Sequence, residues 1–451
     1  MKGDVIMYSN LYRKMRLFYP GGLQKFRRSQ ELNKTEWFSP DELAAWQLPR
    51  LQHIVKYAYE HVPYYHEKYQ QLGIQPDDIR SIKDIQSLPF LTRDDINNNL
   101  KKMVSPEKRK IAIPDATGGS TGQPIRFYRE RAFSWWDNAL EIRGRGWYGV
   151  SEGDKIAWIW GAARDMRNWN WKKRLGAKIL REQYLNAFNM TEENMDSYAK
   201  MLIRWQPKML RAYASALSLF AQYIQEKGIT GIRPKLIETT AEKVTKPQRE
   251  LFEETFNCPV VDWYTAREFG TIAFQCPVGS LHVVEPLYLE VIANDQPAQP
   301  GQMGEVVLTS THQYAMPFIR YKLGDLAIYK PELCSCGRGL PVLSEVVGRT
   351  QDFLVTTNGL FVHGGFFHQA FRQWPEIHRY QVYQADKQHL DVRLVCKTEV
   401  DDDWLDMVHK EIKHRFGEEM NISINLVDDF KLTPAGKHLS VISDVKPDFI
   451  N

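Results

Sequence analysis

The sequence predicts an α/β protein with more than one domain, and three observations carry that expectation. At 451 residues the chain exceeds what one ordinary hydrophobic core serves. Short β-rich runs ("KIAWIWG", "KMLRAYA", "PKLIETTA", "CPVVDWYTA") alternate with amphipathic stretches ("MDSYAKMLIRWQ", "SALSLFAQYIQEKG"), the mark of layered helices and sheet. The two ends of the chain depart from this alternation, the first toward helices and the last toward a small α+β unit.

Taken in order, the first hundred residues read as helices. "SPDELAAWQLPRLQHIVKYAYEHVPYYHEKYQQLG" has Ser39 as N-cap before Pro40, and "SIKDIQSLPFLTRDDINNNL" adds a helix capped by Thr92. From Lys110 the β-rich and helical runs alternate. Between about Leu281 and Ile328 strands dominate, as in "HVVEPLYLEVI", "GEVVLTS" and "FIRYKLGDLAIY", broken by Pro and Gly turns. The last hundred residues carry "FLVTTNGLFVH", "RYQVYQ", "HLDVRLVC", the helix "DDDWLDMVHKEIKHRFG" and "ISINLVDDF". A hinge near Asp352 divides a large N-terminal part from a small C-terminal one, and no internal repeat is visible.

Composition narrows the classes. With 43% hydrophobic and 25% charged residues the chain is a globular protein, and a net charge of +4 offers no electrostatic case for nucleic acid. One basic stretch stands out, with Arg13, Lys14, Arg16, Lys25, Arg27 and Arg28 interleaved with Leu17, Phe18, Tyr19 and Phe26. It reads as a solvated N-terminal helix followed by a turn at "YPGG", or as a weak dock for an anionic membrane. The first residues lack the apolar core of a signal peptide, and no run approaches the length of a spanning helix, so a cytoplasmic location is expected. Five cysteines are too few for a disulfide scaffold; Cys258 and Cys396 read as buried core thiols.

Residues Thr117 to Pro124, "TGGSTGQP", form a glycine-rich hydroxyl loop. It lacks the Gly-Lys-Ser/Thr of a kinase-type phosphate loop and the spacing of a dinucleotide fingerprint. Successive backbone N–H groups in such a turn still make a nest for anions, with the hydroxyls of Ser120 and Thr121 as further donors. By itself the loop is equally readable as a flexible surface turn.

The motifs downstream carry a resemblance. "TGGSTGQP" resembles the phosphate loop of the adenylate-forming ligases, the superfamily of acyl-CoA synthetases, luciferases and peptide-synthetase adenylation domains. "TTAEKV" (Thr239 to Val244) resembles the loop against which adenine packs, and "DWYTAREFG" (Asp262 to Gly270) their Tyr-Gly-x-Thr-Glu motif. "RYKLGDL", "GRTQDF" and "LTPAGKHLS" follow in the family's order as ribose, hinge and catalytic-lysine segments. Together with "SLPFLTRDDI" and "MPFIRYKLGDL" they resemble the phenylacetate-CoA ligase branch and, more closely, its capsule-biosynthesis (CapK-type) members. The resemblance implies a large multi-layer adenylation domain, with residues 1–108 as its helical N-terminal segment and 109–351 as its core, and residues 352–451 as a mobile α+β lid.

It also implies roles. Thr117, Gly118, Gly119, Ser120, Thr121 and Gly122 would hold the β- and γ-phosphates of ATP, with Ala241, Glu242 and Tyr264 around adenine. Asp325 would take the ribose hydroxyls, and Arg349 would contact the nucleotide near the Asp352 hinge. Glu268 would ligate Mg²⁺, and Lys437 would bridge the substrate carboxylate and the α-phosphate. Arg267 departs from the family's Ser or Thr, and either contacts the α-phosphate or pairs with Glu268. Trp135, Trp136, Trp160 and Tyr213 sit in aromatic stretches suited to an aryl acid, or to core packing. The activity implied is ATP-dependent activation of a carboxylic acid as an acyl-AMP and its transfer to coenzyme A. Capture by an amine such as a sugar's, AMP transfer in polysaccharide assembly, and a non-catalytic scaffold are the alternatives, and both a monomer and a homodimer are compatible.

A second constellation is a metal set. Cys276 and His282 lie six positions apart, and Cys334 and Cys336 two apart, in turn-like segments. Three thiolates and one imidazole compose a closed structural Zn²⁺ site, and relatives in the same branch can carry zinc at matching positions. The plain alternative is cysteines in tight turns with His282 on a strand.

Overall fold

The computed structural model describes residues 21–117, 125–160, 176–187, 189–240, 244–349, 353–357, 361–363, 365–371, 374–430 and 440–445. A helical layer comes first, with helices Gly22–Thr35, Pro40–His61, Pro63–Gln71 and Arg93–Met103. Ser39 caps the second of these as expected: its Oγ accepts the Glu42 N–H at 3.3 Å while its own N–H donates to Glu42 Oε2 at 2.8 Å. Thr92 and Asp95 repeat the reciprocal pair at 3.1 and 2.9 Å. The helix expected before "YPGG" lies outside the described residues, and helix Gly22–Thr35 starts directly after Gly21. Gly21 has φ 82°, and a Cβ there would strike the Trp135 indole, so only glycine fits this close approach.

Among the described residues twenty strands follow: β1 (Ile113–Ala116), β2 (Arg126–Arg129), β3 (Ile156–Trp160), β4 (Glu182–Asn186), β5 (Met209–Tyr213), β6 (Leu236–Thr240), β7 (Val260–Ala266), β8 (Gly270–Gln275), β9 (Leu281–Val283), β10 (Leu287–Ala293), β11 (Gln296–Pro297), β12 (Met303–Ser310), β13 (Tyr321–Lys330), β14 (Val342–Arg349), β15 (Phe353–Val355), β16 (Phe361–His363), β17 (Ile377–Asp386), β18 (His389–Cys396), β19 (Asn421–Leu426) and β20 (Val441–Ser443). Twelve of them form one sheet in the order β11-β10-β12-β13-β14-β9-β8-β7-β6-β5-β3-β4. From β4 to β7 the pairing is parallel, and from β7 to β11 it is antiparallel. Parallel neighbours need crossovers, which helices Glu192–Trp205, Ala214–Glu226 and Lys246–Phe256 supply. They cover one face, burying Ala157, Leu210, Phe220, Ile237 and Phe252. Helix Arg131–Gly146 packs against β8.

Arg320 ties the helical layer to the sheet. Buried at φ 49°, it forms a two-bond pair with Glu290 (3.1 and 3.0 Å) and donates to the carbonyls of Gln86 and Leu88. The backbone of Leu91 bonds Arg320 and Lys322 in a single parallel bridge. The segments "SLPFLTRDDI" and "RYKLGDL" are thereby one structural unit. A four-stranded sheet, β19-β18-β17-β20, and helix Asp402–Phe416 bury Leu354, Val392, Trp404, Val408 and Phe416. Among the described residues each buried cluster lies wholly on one side of residue 350. No helix among them is long and apolar enough to cross a membrane.

Candidate active site

Open parallel sheets bind ligands beyond the carboxyl ends of their strands. At those ends lie Trp160 of β3 and Tyr213 of β5, stacked with ring centroids 4.3 Å apart and planes 24° off parallel. Residue Thr240 closes β6, and Ala266 closes β7, followed at once by Arg267 and Glu268. The antiparallel half contributes Asp325. Its carboxylate accepts the Tyr264 hydroxyl at 2.7 Å, although three strands separate β7 from β13 in the sheet order. Four steps of about 4.8 Å exceed the combined reach of the two side chains, so the sheet curls to bring its halves over one site.

The glycine-rich segment is the loop of a hairpin, since β1 and β2 pair antiparallel up to Ala116 and Arg126. Thr117 N–H donates to the Ile125 carbonyl at 3.1 Å, and Ile125 N–H donates to Thr117 Oγ1 at 3.1 Å. This double bond closes the neck. Asp115, just before it, accepts the Ala116 N–H at 2.8 Å, receives Arg129, and takes Arg267 Nε on both oxygens at 3.1 Å. The carboxylate that pairs with Arg267 is therefore Asp115, 152 positions away, and not the neighbouring Glu268.

Glu268 is 3% exposed. Its carbonyl accepts Gln313 Nε2 at 2.9 Å, and its carboxylate accepts the Tyr321 hydroxyl at 3.5 Å. Burial, then the Glu268 carboxylate beside it, holds the Tyr321 phenol well above its ordinary value. A buried oxygen donor of this kind suits a hard divalent cation.

Below the carboxyl ends lies a charged layer that sequence reasoning missed. Arg211 is paired with Glu238 and lies over the Trp158 and Trp263 rings at 4.5 and 3.9 Å. Arg145 joins Glu238 at 3.2 Å and Glu141 at 2.6 Å. The signal was present, since Arg in "MLRAY" and Glu in "LIETT" interrupt apolar strands at matching register. Above them Asp137 accepts the Thr271 N–H and hydroxyl, both at 2.8 Å. Burial, then repulsion from Glu141, raises its pKa from 3.8 to about 6.

The sign of this shift makes a prediction. An acid whose pKa is higher folded than unfolded contributes stability that is present below pH 3.8 and lost as pH rises through about 6. Asp137→Asn removes the titration, so the variant should gain on the wild type by at most about 3 kcal/mol between pH 4 and pH 7. Melting temperatures of both proteins across that range test it; a difference independent of pH would show a carboxyl that titrates normally.

Several sequence-predicted residues are brought to this region: Thr117, Tyr264, Arg267, Glu268 and Asp325, with Trp160 and Tyr213 at the strand ends. Arg349 stands opposite Asp325 in the β13–β14 pairing. Gly118, Gly119, Ser120, Thr121, Gly122, Ala241, Glu242, Asp352 and Lys437 lie outside the described residues. Trp135 and Trp136 go elsewhere: Trp135 covers Gly21, and Trp136 is 6% exposed, edge-on to Trp46 and beneath Arg28. These two indoles face the N-terminal helices because their positions on helix Arg131–Gly146 are set by its packing against helix Gly22–Thr35.

The metal set converges. The ligand atoms of Cys276, His282, Cys334 and Cys336 all lie within 4.8 Å of one another. Cys276 and Cys334 sulfurs are 3.7 Å apart, and Cys336 Sγ is 3.3 Å from His282 Nε2. A tetrahedron with Zn–S near 2.3 Å has S···S edges of about 3.8 Å, so the spacing fits. His282 Nδ1 lies 3.4 Å from the Leu340 carbonyl, which would leave Nε2 to the metal.

The chain is similar to known proteins along most of its length. Residues 354–444 match the CapK C-terminal domain. The chain is 27% identical to Protein CapK of Staphylococcus aureus over 418 residues, covering 90% of each. It is 26% identical to the phenylacetate-coenzyme A ligase of Escherichia coli K12, covering 88% of this chain and 93% of that one. Among solved structures, 2-hydroxyisobutyryl-CoA ligase in complex with 2-HIB-AMP superposes with TM-score 0.68 at 20% identity over 91% of this chain and 92% of that one. O-succinylbenzoate coenzyme A synthetase of Bacillus subtilis, with ATP and magnesium ion, gives 0.52 at 16% identity over 72% and 68%. At these identities the structural likeness speaks for the fold.

Proposed function

We propose that this chain, a homologue of Protein CapK and the phenylacetate-coenzyme A ligases with their mixed α/β fold, is an ATP-dependent acid–thiol ligase working through an acyl-AMP. One observation carries the reading. The neck of the glycine-rich hairpin, the adjacent residues Arg267 and Glu268, and the Tyr264–Asp325 hydrogen bond, drawn from β1, β2, β7 and β13, gather around the carboxyl end of β7.

The chemistry follows from charge. A carboxylate oxygen attacks the α-phosphorus of ATP, pyrophosphate leaves, and a thiol then displaces AMP from the mixed anhydride. Asp325 accepts the ribose hydroxyls in place of the Tyr264 hydroxyl, with Arg349 beside it, and the loop from Thr117 to Gly122 cradles the leaving phosphates. Glu268 would hold Mg²⁺, which supplies neutralisation of phosphate charge. Tyr264, Ala241 and Glu242 flank adenine, and Trp160 and Tyr213 offer a flat wall for an aryl acid. Lys437, on a C-terminal unit that begins at the Asp352 hinge, would bridge the carboxylate and α-phosphate during adenylation and withdraw before coenzyme A enters. Cys276, His282, Cys334 and Cys336 would hold a structural Zn²⁺ with no open position.

Acid-dependent exchange of labelled pyrophosphate into ATP, with a panel of carboxylic acids, tests the first half-reaction. Thioester formation on adding coenzyme A tests the second, and exchange without thioester assigns a different acceptor. Lys437→Ala should lower exchange at least about a hundredfold with ATP binding nearly intact, because the lysine acts on charge that develops in the transition state. Wild-type exchange in that variant would remove Lys437 from the reaction.

A further inference from the structure

Asp115 and Arg129 belong to no motif, yet they stand at the neck of the glycine-rich loop with Arg267. On the β1–β2 hairpin Asp115 is opposite Phe127, so Arg129 is its diagonal neighbour on the same face. Arg267 reaches the same carboxylate from the end of β7, with Nε 3.1 Å from each oxygen and Nη2 3.1 Å from Oδ1. The Asp115 side chain is 5% exposed, whereas that of Arg267 is 51% exposed.

The charges do not cancel. In direct contact one carboxylate faces two guanidiniums, with Asp137 attracting Arg129 from further off, and burial, then repulsion from Arg267, lowers the Arg129 pKa from its usual value. The donors do not cancel either. Asp115 already accepts Ala116 N–H, Arg129 and Arg267, about the capacity of a carboxylate, while each guanidinium has five N–H groups. Among the described residues Arg129 and Arg267 donate hydrogen bonds to Asp115 alone. Two forks held this way, one half open to solvent, are built for a second anion with several oxygens.

We propose that Asp115 is a positioning residue that clamps Arg129 and Arg267 into a two-arginine site for a phosphate oxyanion of the nucleotide. This deepens the ligase reading and rests on it for the source of that oxyanion. The site explains how Arg can replace a hydroxyl at position 267: a long cation is useful there only if its head is fixed, and Asp115 fixes it.

The experiment separates binding from turnover. Calorimetry with inorganic pyrophosphate and with AMP, each alone, reads the site without any reaction, and the better ligand shows whether leaving pyrophosphate or the α-phosphate is its source. Arg129→Met and Arg267→Met should each weaken the better ligand about tenfold, an effect that fades at high salt. Asp115→Asn keeps the shape but frees both cations, so binding should hold or tighten while kcat for exchange falls at least about tenfold. Asp115→Glu should restore part of that rate. Unchanged binding in Arg129→Met, or an unchanged kcat in Asp115→Asn with unchanged melting temperature, would reduce the cluster to a structural ion pair. No binding of either ligand to folded wild type would overturn it too. Wild type that binds pyrophosphate but exchanges none with any acid would count against the ligase reading and leave the two-arginine site standing.

Discussion

Glu268→Gln is expected to lower ATP–pyrophosphate exchange by two to three orders of magnitude, a barrier increase of roughly 3 to 4 kcal/mol. The carboxylate is nearly inaccessible, and its backbone is pinned through Gln313, so the charge sits at a defined place beside Arg267. Glutamine keeps the volume and can still accept the Tyr321 hydroxyl, which approaches Oε1 at 3.5 Å. What it loses is the negative charge that a divalent cation requires. The melting temperature should therefore move little while the Mg²⁺ concentration for half-maximal exchange rises. Exchange at the wild-type rate with the wild-type Mg²⁺ dependence would place the metal elsewhere.

Cys276→Ser should have the largest effect on stability. The sulfur lies 3.7 Å from that of Cys334, and these thiols with His282 and Cys336 join the end of β8, β9 and the turn before β14 in a small cluster with Val342 and Trp147. Losing a structural Zn²⁺ here is expected to cost several kcal/mol, a fall in melting temperature on the order of 10 °C. Zinc content should drop together with the melting temperature, and a chelator should reproduce the shift in wild type but not in the variant. Wild-type protein that carries no zinc as purified, and whose melting temperature a chelator does not move, would leave the four residues as ordinary turn packing.

The charged layer under the site shows where reading along the chain runs short. Arg211 and Glu238 are two residues in apolar strands, each anomalous alone, and their meaning appears only when β5 and β6 are adjacent and in register. Trp135 and Trp136 illustrate the reverse error. Their composition suits an acyl pocket, but helical phase turns both toward Gly21 and Trp46. An aromatic count carries no direction, and a helix position acquires one only from what it packs against.

What the sequence determined by itself is local. The caps at Ser39 and Thr92, the strands "IAWIW", "MLRAY" and "LIETT", and the helix from Asp402 follow from contacts within a few residues: side-chain oxygens reaching N–H groups three positions on, and side-chain periods that match one regular backbone. The family motifs are local too, being short segments in a fixed order. Tertiary structure decided the pairs. Asp115 with Arg267, Tyr264 with Asp325, and Cys276 with Cys334 are joined across 152, 61 and 58 positions. Each depends on strand order and on the curl that lays the antiparallel half of the sheet over the parallel half. Strand periodicity records which face a residue presents, but not which strand lies beside it or how far the sheet bends, because those are settled by the burial of the whole core.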